Sequence, residues 1–193
     1  EELAKRQEQI GELRRSVAQL RSMNLQVRRM LGLVVTPEDS VAITEVERGR
    51  ARMPERLRSE QAAMLRAIPT FWPVRGFITK RFSMADGEKG TLFHGGLDIA
   101  VDRGTPVRAA ASGYATEVGW SDTYGHYAQI DHGYGIKTLY AHLEMLVISE
   151  GERVAQGQMI AYSGSTGKST APHLHFQVTQ NNVPVDPLKY LLQ

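Results

Sequence analysis

From Phe71 to the end of the chain, the sequence consists of short apolar runs separated by turns that contain glycine. A run such as residues 136–140 is short and rich in the β-branched and aromatic residues that strands favour. The glycine-rich residues 131–135 separate it from the run at 127–130, which is typical of a hairpin. Because no helical period is present in this part, residues 71–193 are predicted to form a mostly antiparallel β domain.

The first part of the chain has a different pattern, in which apolar residues recur in heptads. Residues 1–33 therefore predict a coiled-coil helix that forms an α-helical arm in front of the β domain. Asn24 falls at an inner position, where an amide can specify the register and favour a dimer. The alternative is a single amphipathic helix that lies on its own domain. The positions assigned to the seam are Leu3, Arg6, Ile10, Leu13, Val17, Leu20, Asn24, Val27 and Leu31.

Residues 34–70 are predicted to form a helical connector between the arm and the β domain. Thr36 followed by Pro37 is a helix start, with threonine as the N-cap and proline at the first helical position. A second helix is expected to begin near Pro54, with an apolar stripe that we expect to be buried against the following domain. In the alternative, the connector lies over the cleft of that domain and regulates access. The stripe comprises Leu57, Met64, Leu65 and Ile68.

Composition excludes several classes of function. The 193 residues carry a net charge of only +2, which gives no reason to expect a nucleic-acid partner, and the absence of cysteine excludes disulfides and thiolate metal sites. No apolar run approaches the length of a transmembrane helix. Because the chain begins with glutamate rather than methionine, we expect it to be a fragment from which an export signal or membrane anchor has been removed.

The run at residues 172–176 contains two histidines, which can bind a metal or transfer protons. In a strand, His173 and His175 would share one face, while Leu174 and Phe176 would point the other way into the core. Further residues that can bind a metal, His94 and Asp98, occur about eighty positions earlier.

These two residues would also share a face in a strand, and Gly96 would leave the space between them empty. Two imidazoles and one carboxylate can hold a catalytic zinc ion that keeps an open position for water. We place His142 in the same cleft. By spacing alone, either His173 or His175 is the ligand, and the other is the base.

Three motifs carry a resemblance to a known family: His94-x-x-x-Asp98, Tyr140-Ala141-His142-Leu143, and Gly-Ser-Thr-Gly-x-Ser-Thr-x-Pro-His-Leu-His-Phe at residues 164–176. In these motifs the chain resembles the lysostaphin/LytM-type zinc metallopeptidases, which cut the peptide part of bacterial peptidoglycan. The similarity runs from about Trp72 to Leu191. It implies a zinc-dependent endopeptidase in the periplasm or elsewhere in the cell envelope of a bacterium. Attachment of the full-length protein to a membrane is left open.

The resemblance also implies a role for each residue of the cleft. One Zn²⁺ per chain would be held by His94, Asp98 and His175, and His142 and His173 would be the two catalytic histidines that do not bind the metal. One of them would take the proton from the zinc-bound water, and the other would stabilise the oxyanion and protonate the leaving amine. Which histidine does which is left open. The substrate would be a D-amino-acid cross-link or a glycine bridge.

Two other functions compete with the peptidase. In the first, the domain is a non-catalytic activator of wall hydrolases that works through its coiled coil, but such relatives lose ligands and this chain keeps all five cleft residues. In the second, zinc is structural in an assembly module, although a structural site is normally closed by four protein ligands. His126 and His132 lie in loop and turn contexts. We interpret both as non-catalytic, with His132 capping its turn.

The coiled-coil hypothesis makes a prediction about the mass of the protein in solution. If residues 1–33 associate with a second copy, the mass measured by sedimentation will rise from that of one chain to that of two as the concentration increases. Deletion of these residues should abolish the rise. A monomer mass that is independent of concentration would exclude the dimer. The helix would then pack on its own domain or bind a different protein.

Overall fold

The structure, a computed structural model, describes residues 55–84 and 93–191. The coiled coil predicted for residues 1–33 and the helix start at Thr36 lie outside the described residues. Helix α1 (Glu55–Ala67) is the helix expected near Pro54. Met64, Leu65 and Ile68 of the predicted stripe are half-buried. No helix of the described part is long and apolar enough to cross a membrane.

Within the described residues, ten strands form a single sheet in the compact unit that spans Gln61–Leu192. All pairings between the strands of the described residues are antiparallel, which confirms the predicted mostly antiparallel β domain. A short 3-10 helix, Pro187–Lys189, follows the last strand. The strands are β1 (Phe77–Lys80), β2 (Leu97–Ala100), β3 (Pro106–Arg108), β4 (Gly113–Ser121), β5 (Gly125–Asp131), β6 (Ile136–Leu146), β7 (Arg153–Val154), β8 (Met159–Ser163), β9 (His173–Gln180) and β10 (Val183–Val185).

The sheet has the order β1-β2-β9-β6-β5-β4-β7, and β8 pairs with both β3 and β6. Strand β9 therefore lies between β2 and β6, which places the two motifs that contain histidines, at residues 140–143 and 172–176, on neighbouring strands. Leu174 and Phe176 of β9 are fully buried, as their alternation with the histidines predicts. Phe176 packs against Tyr140 of β6 at a ring-centroid distance of 5.3 Å.

The predicted hairpin is confirmed, because β5 and β6 pair with Asp131 opposite Lys137. The turn is capped by Asp131, whose Oδ1 accepts a hydrogen bond of 2.7 Å from the backbone N–H of Gly133. The prediction that His132 caps this turn is wrong. Its side chain is buried instead, where its ring nitrogens bond to the carbonyl of Ser112 and the hydroxyl of Thr138.

A chain of buried hydrogen bonds starts at His132. Its Nδ1 donates to the carbonyl of Ser112 at 2.9 Å, and its Nε2 lies 2.8 Å from Oγ1 of Thr138. Thr138 Oγ1 is bonded in turn to the hydroxyl of Tyr140 at 3.1 Å, and this hydroxyl accepts from the N–H of Ala110 at 2.8 Å. Burial lowers the pKa of His132, and this effect outweighs the opposing influence of the Ser112 carbonyl and of Asp131. The neutral ring is therefore part of the folded state.

The neutral state of His132 predicts how stability depends on pH. Because the folded-state pKa lies below the unfolded value of about 6.5, the unfolded chain binds the extra proton first as the pH falls. The contribution of His132 is fully present above about pH 6.5, and it is lost between that pH and the lower folded-state pKa. The slope is at most about 1.4 kcal/mol per pH unit for one proton.

We expect the variant His132→Gln to be less stable than the parent chain at pH 7 by about 1–3 kcal/mol, and this deficit to shrink towards pH 5. Urea denaturation of chelator-treated protein at several pH values measures the deficit. His126→Gln is the matched control, because the half-buried ring of His126 has no place in the chain of buried bonds. A deficit of His132→Gln that is constant with pH would contradict the assignment.

Candidate metal centre

Pairing between β2 and β9 brings two of the predicted ligands together. Asp98 lies directly opposite His175 in this pair, and cross-strand neighbours present their side chains on the same face. Asp98 Oδ1 is 2.7 Å from Nδ1 of His175. On the other side, the same oxygen is 3.1 Å from Nε2 of His94. One carboxylate oxygen is thus shared by two imidazoles.

His94 is oriented by the main chain. Its Nδ1 donates a hydrogen bond of 2.9 Å to the carbonyl of Arg81, and its backbone pairs with Ser83 in an isolated bridge. A carbonyl only accepts hydrogen bonds, so the Nδ1 of a neutral His94 carries the proton and its Nε2 carries a lone pair. This lone pair points at a carboxylate oxygen of Asp98. Two acceptors at 3.1 Å repel each other unless a proton or a cation lies between them.

The donor set fits a zinc ion. The ligand atoms of His94, Asp98 and His175 all lie within 4.8 Å of one another. Zinc–ligand bonds of about 2.0–2.1 Å place tetrahedral ligand atoms about 3.3 Å apart, so small outward shifts of the side chains from 2.7 and 3.1 Å would admit the ion. Two neutral imidazoles and one carboxylate are also a donor set that this metal accepts.

Asp98 supplies the negative charge of the cluster. Its burial acts to raise the pKa of the carboxyl, but the imidazoles of His175 and His94 outweigh this effect when they are protonated, because they then donate hydrogen bonds to the carboxylate and carry positive charge. The net result is a pKa well below the usual range for an aspartate. The carboxylate is therefore ionised at neutral pH, which is the state that binds a cation.

The prediction that Gly96 leaves an empty space between His94 and Asp98 on one strand face is wrong. Strand β2 begins only at Leu97, so residues 94, 96 and 98 do not belong to one continuous strand. A Cβ atom on Gly96 would collide with the carbonyl of Phe176 in β9, so the missing side chain does not serve to clear a space between the ligands. It is needed because the backbones of the two segments approach closely at this point.

His142 and His173 lie beside the cluster, with their ring centroids 4.6 Å apart. His142 Nδ1 donates to the carbonyl of Thr166 at 2.7 Å, and His173 Nδ1 donates to the carbonyl of Ala171 at 2.8 Å. Each neutral ring therefore keeps a lone pair on Nε2. Nε2 of His173 is 3.9 Å from Oδ1 of Asp98, so the structure brings all five predicted cleft residues together.

The backbone of His142 has a left-handed conformation, with φ of 60°. This conformation is uncommon for residues other than glycine and tends to occur at functional positions. A hydrogen bond of 2.7 Å from the N–H of His142 to the carbonyl of Tyr124 stabilises it. Burial lowers the pKa of the His142 ring, and the nearby rings of His173 and His175 lower it further. These effects outweigh the hydrogen bond to Thr166 and the charge of Asp98, both of which act to raise the pKa.

Two residues without an individual role in the predicted site also belong to it, and one of them, Thr166, lies within the motif at residues 164–176. The ring of Tyr124 stacks on that of His175 at 6.0 Å with an interplanar angle of 27°, and Thr166 holds His142. Nothing in the spacing of the motifs indicates either role.

The remaining two histidines lie outside the cluster. The ring of His126 is 4.9 Å from that of Trp120, and His132 is in the buried chain of hydrogen bonds described above.

Comparison with known proteins identifies the family. The profile of Peptidase family M23 matches residues 92–187. The catalytic domain of the antimicrobial peptidase lysostaphin from Staphylococcus simulans has a similar structure, with a TM-score of 0.51 and 34% identity, over 62% of this chain and 93% of that domain. The chain belongs to peptidase family M23. The resemblance to lysostaphin-type enzymes is thereby confirmed.

Two further similarities of this M23 chain are to a structure and to a curated sequence from Vibrio cholerae. A zinc-containing peptidase has a TM-score of 0.58 and 35% identity, over 64% of this chain and 40% of that one. The peptidoglycan DD-endopeptidase ShyB is 39% identical over 114 residues, which are 59% of this chain and 26% of ShyB. The matched region spans between 20% and 46% of the length of these curated relatives.

The cluster predicts which residues bind the metal. We expect the metal-free chain to bind one Zn²⁺ in isothermal titration, and we expect His175→Ala and Asp98→Ala to weaken this binding by at least about 100-fold, because each removes one of three ligands. His126→Ala removes a histidine outside the cluster and should bind as the parent chain does. Undiminished binding by His175→Ala would exclude this site.

Proposed function

We propose that this chain is a zinc-dependent endopeptidase that hydrolyses peptide cross-links or bridges of bacterial peptidoglycan. Its membership of family M23 and its similarity to a peptidoglycan DD-endopeptidase support this proposal. The observation that carries it is the cleft itself, where a cluster that fits a metal adjoins two further imidazoles. A purely structural metal would have no use for these two rings.

The proposed ligands are Nε2 of His94, Oδ1 of Asp98 and Nδ1 of His175. When bound, zinc supplies a Lewis acid that lowers the pKa of a coordinated water and polarises the carbonyl of the scissile peptide bond. With three ligands rather than four, the protein leaves room for water and substrate. Asp98 supplies a negative charge that lowers the net charge of the site.

Proton transfer is assigned to His142 and His173 as a pair. Because the Nδ1 proton of each ring is held by a backbone carbonyl, each Nε2 is free to accept a proton. Burial favours the neutral form of His142 in particular. One ring, in its neutral form, takes the proton of the attacking water. The other ring, once it has taken a proton from solvent on Nε2, donates a hydrogen bond to the developing oxyanion and passes that proton to the leaving amine.

The whole chain is proposed to have three parts: a coiled-coil helix over residues 1–33, a helical connector over residues 34–70 and the peptidase domain over residues 71–193. Helix α1 (Glu55–Ala67) supports the helical character of the connector. Because peptidoglycan lies outside the cytoplasmic membrane, we place the protein in the bacterial envelope. The coiled coil would then mediate self-association or bind a partner protein there.

Hydrolysis of purified peptidoglycan tests the proposal. We expect the chain to release peptides from it, a chelator to abolish this activity and added Zn²⁺ to restore it. Mass spectrometry of the muropeptides before and after digestion identifies the bond, and it separates D-amino-acid cross-links from glycine bridges. Peptidoglycan that remains intact in the presence of zinc would contradict the assignment of an endopeptidase.

The same assay tests the two histidines. His142→Ala and His173→Ala should keep the metal but lower turnover by about 100-fold or more, because each removes a group that transfers protons. His126→Ala is the matched control and should remain active. If His142→Ala turns over substrate as fast as the parent chain, the catalytic role assigned to His142 is wrong.

A further inference from the structure

Thr166 lies in the loop between β8 and β9, and it makes three hydrogen bonds to the strands beside it. Its carbonyl accepts from Nδ1 of His142 at 2.7 Å. Its hydroxyl donates to the carbonyl of Leu143 at 2.7 Å and accepts from the N–H of His126 at 3.1 Å. The side chain of Thr166 thus binds the residue that follows His142, while its main chain binds the ring of His142.

This arrangement closes a small ring of contacts around one catalytic histidine. The ring of His142 and the peptide that follows it are both attached to Thr166, so the two cannot move independently while the hydroxyl is bonded. Strand β6 departs from its regular ladder here, because its pairings with both β5 and β8 shift register beside Leu143. A side-chain bond therefore holds the loop against β6 where the regular ladder is broken.

Close packing limits what can replace Thr166. Gly125, with φ of 64°, lies so near that a Cβ atom on it would collide with the hydroxyl oxygen of Thr166. Gly167, with φ of 70°, makes a similar approach to the N–H of Gly125. A further hydrogen bond of 3.1 Å joins Lys168 N–H to the carbonyl of Thr123. The loop is thus pressed against the turn between β4 and β5 on both sides of Thr166.

We propose that Thr166 is a positioning residue that fixes His142 in the tautomer with its proton on Nδ1. Its hydroxyl anchors the loop, so the Thr166 carbonyl stays in line with Nδ1. The lone pair on Nε2 then faces the cleft. Without the anchor, the carbonyl moves away and the ring gains access to the other tautomer, whose Nε2 already carries a proton. The kinetic consequence rests on the proposed peptidase function, whereas the tautomer does not.

Kinetics on a soluble cross-linked muropeptide test the consequence. We expect Thr166→Val, which keeps the shape but removes the hydroxyl, to lower kcat about 10–100-fold and to leave KM within about twofold. Thr166→Ser retains the hydroxyl and should recover most of kcat. Thr116→Val is the matched control, because the Thr116 hydroxyl makes a similar bond to a backbone carbonyl, that of Gln129, at 3.4 Å. It should behave as the parent chain does.

Nitrogen-15 NMR of the histidine rings in the zinc-loaded chain tests the tautomer directly. In the parent chain, Thr166→Ser and Thr116→Val, the His142 shifts should be those of a ring protonated on Nδ1. In Thr166→Val they should move towards those of the other tautomer. Unchanged shifts in Thr166→Val would overturn the proposal, as would an unchanged kcat in an active enzyme. If no form of the chain cleaves peptidoglycan, the peptidase function fails, and the NMR shifts still decide the role of Thr166.

Discussion

The antiparallel pairing of β2 with β9 underlies both the stability of the domain and its site. On one face, this pairing sets Asp98 opposite His175 and Ala100 opposite His173. On the other face, Leu97, Ile99, Leu174 and Phe176 are completely buried. A slip of one residue would exchange the two faces, burying the polar groups and exposing apolar ones. The core therefore specifies the register, and the register places the carboxylate between its imidazoles.

His142 reaches the same cleft in a different way. Its left-handed backbone takes it out of the regular geometry of β6, and bonds from neighbouring loops compensate for that departure. Tyr124 contributes twice, because its carbonyl accepts from the N–H of His142 and its ring stacks on that of His175. The turn between β4 and β5 thus contacts a proposed ligand and a proposed catalytic group together. Strands β2, β6 and β9 carry every predicted cleft residue except His94, which precedes β2, and the surrounding loops supply backbone carbonyls that orient the imidazoles.

Sequence reasoning could predict the features that depend on side-chain alternation and turn chemistry. The β class, the hairpin at residues 131–135 and the division of residues 173–176 between cleft and core are all of this kind. The roles of Tyr124 and Thr166 could not be predicted, because each acts partly through its main-chain carbonyl, which every residue possesses, and partly through side-chain contacts with residues distant in the sequence. The bond from His142 to Thr166 joins residues 24 positions apart. The reason for Gly96 could not be predicted either, because the backbone that approaches it, at Phe176, belongs to a strand distant in the sequence.

Three imidazoles of the cleft donate a hydrogen bond from Nδ1 to a backbone carbonyl. The pairs are His94 with Arg81, His142 with Thr166, and His173 with Ala171. Carbonyl groups do not titrate and do not disappear when a side chain is exchanged. Apart from Thr166, whose hydroxyl is proposed to anchor its own carbonyl, the residues that supply these carbonyls can therefore vary in sequence while the imidazoles keep the same faces towards the cleft. What selection must preserve at Arg81 and Ala171 is the path of the chain rather than the identity of the residue.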